Sequence, residues 1–240
     1  MQSLRGSCTE RNLLQSFAGE SQARNRYTYF ASRARKDGFM QISAIFSETA
    51  DQEKEHAERF FKFLEGGMLT VNAEFPAGVI GTTAANLAAA AEGEYDEWHR
   101  LYPGFAEIAR QEGFSAIAEV FDAVCISERH HEQRYRALLK TVESNTVFTR
   151  PQPVIWKCRN CGYLHSSTEA PRICPACAHD RAYFEVLNNV LVANCGRRAL
   201  VRADLGCAGK LVNASSRRPA HPGVIIARSS RRSETTRVAE

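Results

Sequence analysis

The segments DQEKEHAERFFKFL (residues 51–64) and CISERHHEQRYRALL (residues 125–139) each place a glutamate three positions before a histidine. These pairs are Glu53 with His56 and Glu128 with His131. Both segments carry apolar residues at helical spacing, and side chains three positions apart lie on the same face of a helix. Each pair can therefore bind one centre, and the two pairs predict matching contributions to a single metal site.

Four segments show the apolar spacing of helices, at about residues 9–37, 39–65, 83–111 and 114–143. The second is followed by LTVNAEFPAGVIGTT, whose Gly, Pro and β-branched residues predict an extended connection. Two short turns and one long link are the connectivity of a ferritin-like four-helix bundle. A kink in the third helix is predicted near Pro103.

The two helix pairs are copies of each other. The segment that begins DGFMQISAIF matches the segment that begins EGFSAIAEVF, 75 positions later. The matched residues are Gly38 and Gly113, Phe39 and Phe114, Glu53 and Glu128, and His56 and His131. A repeated helix hairpin predicts a bundle with pseudo-two-fold symmetry, with the paired ligands near its axis.

A di-iron site in such a bundle needs one more glutamate from each of the other two helices. Glu20 and Glu94 are the candidates, because they precede Glu53 and Glu128 by similar intervals of 33 and 34 residues. A single Glu-x-x-His on a polar helix is usually only a charged surface, but the duplication favours a metal site. Four buried carboxylates require a cation, and oxygen ligands with two imidazoles suit iron or manganese.

Three further residues of the bundle are candidates for the site. Glu97 lies on the same face as Glu94, while its partner in the repeat is Ala23, so it is either a surface acid or an additional ligand. Its position beside the site favours a ligand. Tyr27 and Tyr102 are expected either to hydrogen-bond a ligand carboxylate and donate a proton, or to serve only as core aromatic residues.

The second half of the chain contains two Cys-x-x-Cys pairs separated by twelve residues. The cysteines are Cys158, Cys161, Cys174 and Cys177. This pattern predicts one four-thiolate centre, and the spacing alone fits zinc or iron. Residues 150–187 are too few for an ordinary apolar core, so this region is expected to depend on its metal.

Composition limits the number of folded modules and the cellular compartment that can be expected. The 240 residues are 44% hydrophobic and 24% charged, enough for one core and a small second module. No apolar run predicts a membrane helix, and MQSLRGSCTE does not resemble a secretory signal, so a cytoplasmic protein with reduced cysteines is expected.

The net charge of +4 comes from the end of the chain. Residues 188–240 contain ten Lys and Arg against three Asp and Glu, and this basic low-complexity tail is predicted to be disordered and dispensable. The expected division is therefore 1–146 for the helical domain, 150–187 for the cysteine domain and 188–240 for the tail. Neither a nucleic acid nor a membrane is expected as a partner.

With these motifs, residues 3–187 resemble the rubrerythrin family. The resemblance rests on NLLQSFAGESQARNRYTYFA, ADQEKEHA, FPAGVIG, CRNCGY and CPACAH, which appear in the family's order. It implies a mainly α fold, in which a ferritin-like di-iron bundle precedes a small, β-rich, rubredoxin-like domain. It also implies iron cofactors, namely a non-haem di-iron centre and one mononuclear iron held by the four cysteines.

The resemblance further implies which residues bind the di-iron centre. In the oxidised state these are Glu20, Glu53, Glu94, Glu97, Glu128 and His131. On reduction, His56 is expected to join as one iron moves away from Glu97. Family members are similar to peroxidases that receive electrons from an NAD(P)H-dependent reductase chain, often through rubredoxin, and form homodimers.

Two other functions compete with a peroxidase. A ferroxidase or iron-handling protein would use the same di-iron site to oxidise Fe(II), but it would not need an electron-transfer centre in the same chain. A zinc ribbon that binds nucleic acid is less well supported, because basic residues do not concentrate around the four cysteines. The pattern therefore favours a hydrogen-peroxide reductase of oxidative-stress defence.

Overall fold

The computed structural model describes residues 3–187, and the predicted tail at 188–240 lies outside them. Five α-helices are found in the described residues: α1 Cys8–Lys36, α2 Met40–Phe61, α3 Thr83–Asp96, α4 Tyr102–Gln111 and α5 Ser115–Glu143. A π-helical turn, Glu97–Leu101, joins α3 to α4 in one continuous helix. Helix α1 packs on α2, and α3 and α4 pack on α5, so the predicted four-helix bundle is confirmed.

The two helix hairpins turn in the same way. Gly38 and Gly113 adopt φ angles of 82° and 83°, in the left-handed region that glycine enters without steric cost. The following N–H groups, of Phe39 and Phe114, each donate to a carbonyl five residues back, at 2.9 and 2.7 Å. The repeat seen in the sequence therefore extends to the backbone of both turns.

The third helix of the bundle departs from regular geometry just before Pro103, near the position of the predicted kink. The N–H of Tyr102 donates to the carbonyl of Glu97, five residues back, which defines the π-helical turn. Proline lacks an N–H, and its ring would clash with the carbonyl four residues earlier in a regular helix. A π-helical turn accommodates one extra residue and widens the helix at this point.

The connection between the two hairpins, residues 62–82, contains no helix or strand, as its composition predicts. Helix α2 ends at Phe61, four residues before the predicted end. Thr82 then caps the next helix, because its side chain accepts a hydrogen bond from the N–H of Ala85. No helix in the described residues is long and apolar enough to span a membrane.

The bundle contains two aromatic cores that are related by the repeat. One core includes Tyr27, Ile42, Phe46 and Tyr135. The other includes the matching residues Tyr102, Ile117, Phe121 and Phe60. Each core supplies one of the two candidate tyrosines, and each of these tyrosines contacts a candidate metal ligand. The candidate metal ligands therefore lie between the two cores.

The cysteine region forms an antiparallel sheet in the order β2-β1-β3. Its strands are β1 Thr149–Cys158, β2 Leu164–Glu169 and β3 Phe184–Val186, and a short 3₁₀ helix, Arg181–Tyr183, precedes β3. Trp156 and Phe184 fill a small core together with the buried Cys158 and Cys174. The prediction of a small β-rich domain after the bundle is confirmed.

Candidate metal centres

The bundle brings six of the predicted site residues into two overlapping groups. The ligand atoms of each group lie within 4.8 Å of one another. One group is Glu20, Glu53, His56 and Glu128, and the other is Glu53, Glu94, Glu128 and His131. Glu53 and Glu128 belong to both groups, so these two carboxylates could bridge two metal ions.

The four carboxylates of this cluster are almost completely buried. Glu20, Glu94 and Glu128 are 0% exposed and Glu53 is 1% exposed. Several of their oxygens make no well-aligned hydrogen bond within the described residues: Glu20 Oε2, Glu53 Oε1, Glu94 Oε2, and Oε1 and Oε2 of Glu128. Four of these five oxygens lie within 3.4 Å of Nδ1 of His56 or His131, so four buried carboxylates surround only two imidazoles. Burying that much negative charge is costly, and multivalent cations offset it. The residues therefore fit a di-iron centre.

His131 is oriented for coordination through Nδ1. Its Nε2 lies 2.9 Å from Oε1 of Gln52, an acceptor, so the neutral imidazole that would bind a metal has its proton on Nε2 and its lone pair on Nδ1. Nδ1 lies 2.8 Å from Glu128 and 3.1 Å from Glu53, and it makes no well-aligned hydrogen bond with them. A backing hydrogen bond of this kind commonly fixes the ring of a metal-binding histidine.

His56 approaches the same two carboxylates from the opposite half of the repeat. Its Nδ1 lies 3.0 Å from Glu53 and 2.9 Å from Glu128. Burial lowers the pKa of His56, but hydrogen bonds to Glu128 and Glu53 outweigh that effect and raise the pKa to about 10. A proton on His56 thus offsets part of the carboxylate charge, and metal binding must release it.

The two candidate tyrosines bond across the symmetry axis. Tyr27 on α1 donates its hydroxyl to Glu94 on α3, and Tyr102 on α4 donates to Glu20 on α1. Burial raises the pKa of both phenols well above the ordinary value, so both stay protonated. The tyrosines are core residues and also partners of site carboxylates, so the two expectations from the sequence do not exclude each other.

The π-helical turn explains why the repeat changes register near the site. Glu20 and Glu94 are 74 positions apart, whereas Tyr27 and Tyr102 are 75 positions apart. The turn lies between Glu94 and Tyr102 and accommodates the additional residue. It therefore allows the carboxylate and the tyrosine of the second half to occupy places equivalent to those in the first half.

Glu97 begins the π-helical turn and lies outside both groups of ligand atoms. Its side chain is partly exposed, whereas Glu94 is fully buried. Desolvation raises the pKa of Glu97 well above its ordinary value, and the negative charges of Glu94 and Glu128 add to the effect. The structure thus includes His56 in the cluster and leaves Glu97 at its edge.

The four cysteines converge in the sheet region, as predicted. Sγ of Cys158 lies 3.8 Å from Sγ of Cys177, and Sγ of Cys161 lies 3.6 Å from Sγ of Cys174. A metal–sulfur bond of about 2.3 Å in a tetrahedral site places neighbouring sulfurs ~3.8 Å apart. Disulfides require about 2.05 Å, so the spacing fits a four-thiolate metal site.

The two cysteine turns have the same backbone structure. The residue after each second cysteine, Gly162 or Ala178, has a positive φ angle, of 79° and 59° respectively. The N–H of each donates to the carbonyl of the first cysteine of its pair, at 2.8 and 2.9 Å. In the second turn the backbone N–H of His179 lowers the pKa of the Cys177 thiol to about 6, which favours the thiolate that binds metal.

Gln52 is a residue near the site that the sequence analysis missed. It bonds to His131 across two helices, from α2 to α5. Because no i, i+3 or i, i+4 spacing relates the two residues, no local pattern signals this contact. The repeat gives little help in finding this contact, because the residue at the position equivalent to Gln52 is a serine, Ser127.

Comparisons with known proteins agree with this arrangement. Residues 11–139 match the family model described as rubrerythrin, and residues 156–185 match the rubrerythrin, rubredoxin-like domain. The chain is 61% identical to a rubrerythrin of Porphyromonas gingivalis over 183 residues, which are 76% of this chain and 92% of that protein. It is 57% identical to a rubrerythrin of Nitratidesulfovibrio vulgaris over 187 residues, 78% of this chain and 98% of that protein.

A solved structure described as the fully reduced, all-ferrous state of nigerythrin also resembles this chain. The TM-score is 0.51 at 30% sequence identity, and the match covers 78% of this chain and 89% of nigerythrin. The chain is therefore similar to known proteins in its three-dimensional fold as well as in its sequence.

Proposed function

Because the chain belongs to the rubrerythrin family, with iron in a di-iron bundle and a four-cysteine centre, we propose that it is a non-haem di-iron peroxidase. Its reaction is the reduction of hydrogen peroxide to water in oxidative-stress defence. One observation carries the proposal: a single chain holds both a buried carboxylate–histidine cluster and a four-thiolate centre. Oxidation and storage of Fe(II) would not need the second centre.

The proposal assigns each centre its ligands. The di-iron ligands are Glu20, Glu53, His56, Glu94, Glu97, Glu128 and His131, and the mononuclear iron ligands are Cys158, Cys161, Cys174 and Cys177. His56 and Glu97 serve alternately, with His56 in the reduced state. This exchange is supported by the position of His56 within the cluster and of Glu97 at its edge.

Iron held by these residues would supply two electrons for cleavage of the O–O bond, so that H₂O₂, two electrons and two protons become two water molecules. The tyrosines hold the surrounding carboxylates. Tyr27 and Tyr102 donate hydrogen bonds from their hydroxyls to Glu94 and Glu20, which orients those carboxylates and keeps a phenolic proton next to the cluster. The aromatic cores on both sides limit the access of bulk water.

The electron supply and the setting of the enzyme are part of the same proposal. Electrons come from rubredoxin or from an NAD(P)H-dependent reductase and pass through the cysteine centre one at a time. The protein works as a homodimer in the cytoplasm, with the helical domain at 1–146, the cysteine domain at 150–187 and a dispensable tail. The negative charge of the part before the tail suits neither nucleic acid nor an anionic membrane surface.

Stopped-flow mixing of the reduced, iron-loaded protein with peroxide, and separately with oxygen, tests this function. A peroxidase is oxidised much faster by peroxide than by oxygen at equal concentration. Faster oxidation by oxygen, together with repeated consumption of added Fe(II), would instead establish a ferroxidase.

A further inference from the structure

A cavity of about 390 Å³ lies between α1, the π-helical turn and the connection that follows α2. Its inner end contains Glu97 and Tyr102, and Tyr102 donates directly to the cluster carboxylate Glu20. The cavity therefore reaches the edge of the candidate di-iron centre at the place where the ligand set is partly exposed. Its volume is far larger than the roughly 30 Å³ that one water occupies in the liquid.

Two helical glycines lie in the walls of this cavity. Gly19 and Gly93 each directly precede a buried cluster carboxylate, Glu20 and Glu94. A Cβ at Gly93 would lie 3.6 Å from Nη2 of Arg26, and a Cβ at Gly19 would lie 3.8 Å from the ring of Phe75. Neither glycine has a positive φ angle, and both distances are ordinary van der Waals contacts, so an alanine would fit at either position and only a larger side chain would fill the cavity.

Arg26 brings a guanidinium with one unpartnered nitrogen to the same cavity. Within residues 3–187, its buried Nε has no hydrogen-bond partner, while its Cζ lies 5.7 Å from the centroid of the Tyr27 ring and its positive charge opposes the rise in the pKa of Glu97. Arg100, which follows Arg26 by the 74 positions that relate Glu20 to Glu94, also lines the cavity. Arg100 is largely exposed and bonds to both oxygens of Asp96, at 2.7 and 2.8 Å.

The chemistry of the cavity limits what it can hold. A guanidinium is a strong hydrogen-bond donor with no acceptor capacity, so it needs an oxygen or an anion as a partner. Arg26 and Glu97 line the same cavity, so the donor and a carboxylate at the edge of the candidate redox site face the same space. A small molecule with oxygen lone pairs and an O–H group can accept a hydrogen bond from Arg26 and donate one to a carboxylate.

We propose that this cavity is the access and binding site for hydroperoxides, and that Arg26 is a positioning residue that hydrogen-bonds the substrate oxygen. The inference rests on the proposed peroxidase function and extends its substrate class from H₂O₂ to small alkyl hydroperoxides. The reaction is ROOH plus two electrons and two protons giving ROH and H₂O. The electrons come from the reduced site and the protons from solvent, while Arg26 only binds and orients.

The test compares Arg26→Met, Arg26→Lys and the control Arg24→Met in the iron-loaded full chain; Arg24 is exposed on the same helix and does not line the cavity. A hydrogen bond from a charged donor predicts that Arg26→Met raises KM for H₂O₂ and for tert-butyl hydroperoxide by about tenfold or more, with kcat almost unchanged. Arg26→Lys should recover part of the loss, and Arg24→Met should match the parent. An unchanged KM in Arg26→Met, or an equal loss in Arg24→Met, would overturn the assignment.

A second measurement examines the cavity without turnover. Azide binding to the oxidised, iron-loaded protein can be followed by absorption, and both its rate and its affinity should fall by about tenfold in Arg26→Met. Gly19→Leu, which fills the space opposite Phe75, should slow binding while the helical circular dichroism stays unchanged.

The two measurements fail in different ways. If the parent does not reduce peroxide, but Arg26→Met and Gly19→Leu still slow azide binding, the peroxidase proposal fails and the cavity stands only as the route by which small ligands reach the site. If the parent is a peroxidase, but neither Arg26→Met nor a folded Gly19→Leu changes azide binding, the cavity is not the route to the site.

Discussion

The bundle and the sheet assemble their metal-binding groups in opposite ways. The bundle collects its cluster from four helical segments that span more than one hundred residues of the chain, and buries it between two aromatic cores. The sheet collects four sulfurs from two short turns, and its core contains little besides Trp156, Phe184 and the cysteines themselves. Packing thus positions the ligands in the bundle, whereas local backbone geometry positions them in the sheet.

This difference predicts that the folding of the bundle depends less on metal than the folding of the sheet does. In the bundle, hydrophobic cores persist without a cation, and protons on the histidines and on the carboxyls of raised pKa relieve the repulsion. In the sheet, the metal takes the place of a core that is too small to be stable alone. We therefore expect the bundle to need metal for its reactivity, and the sheet to need metal for its folding.

The largest expected effect is the loss of sheet structure on metal removal. Chelation under reducing conditions should unfold residues 149–187 and leave most of the helical circular dichroism. Trp156, which is 0% exposed, should then show a red shift in its fluorescence. Trp98→Phe is the matched background, because it removes the tryptophan of the bundle. Retention of the buried Trp156 signal in metal-free protein would contradict the dependence proposed for the sheet.

The next effect separates the functions of the two centres. Replacing Cys161 and Cys174 by Ser should abolish steady-state turnover with an external electron donor, because two thiolates are lost from the relay. The chemically reduced bundle should still consume peroxide stoichiometrically in a single turnover. Exposed Cys8→Ser provides the control. Steady-state turnover at the parent rate would show that electrons reach the bundle by another route.

A smaller effect concerns the asymmetry within the bundle. Glu97→Ala should still bind two irons but have a higher reduction potential and slower turnover, because a carboxylate stabilises ferric iron more than ferrous iron. Potentiometric titration and peroxide kinetics measure both changes. Glu92→Ala is the control, since it removes an exposed carboxylate from the same helix. Equal potentials in the parent and Glu97→Ala would make Glu97 a surface acid.

The smallest effect lies in the turns that hold the cysteines. Ala178 has a φ angle of 59°, and its counterpart in the other turn is Gly162. Ala178→Gly should stabilise the iron-loaded sheet by about 1 kcal/mol, because glycine adopts this backbone without steric cost. Gly162→Ala should destabilise it by a similar amount. Denaturant titration of Trp156 fluorescence tests both, and destabilisation by Ala178→Gly would contradict the argument.

The spacing of ligands was predictable from the sequence because it depends on local geometry. Glu53 and His56 lie on one helix face at any position in a bundle, and two Cys-x-x-Cys turns bring four sulfurs together in any orientation of the sheet. The duplicated hairpin also made it possible to predict the four helices and which of them form hairpins with each other. These features follow from periodicity and from distances of a few residues along the chain.

Only the tertiary structure decided how the two halves meet. It paired Tyr27 with Glu94 and Tyr102 with Glu20, and Gln52 with His131. It also formed the π-helical turn just before Pro103, and it left the guanidinium of Arg26 beside a cavity. Such contacts depend on the register of helices that are distant in sequence, where one inserted residue moves a side chain to another face, and no local propensity specifies that register.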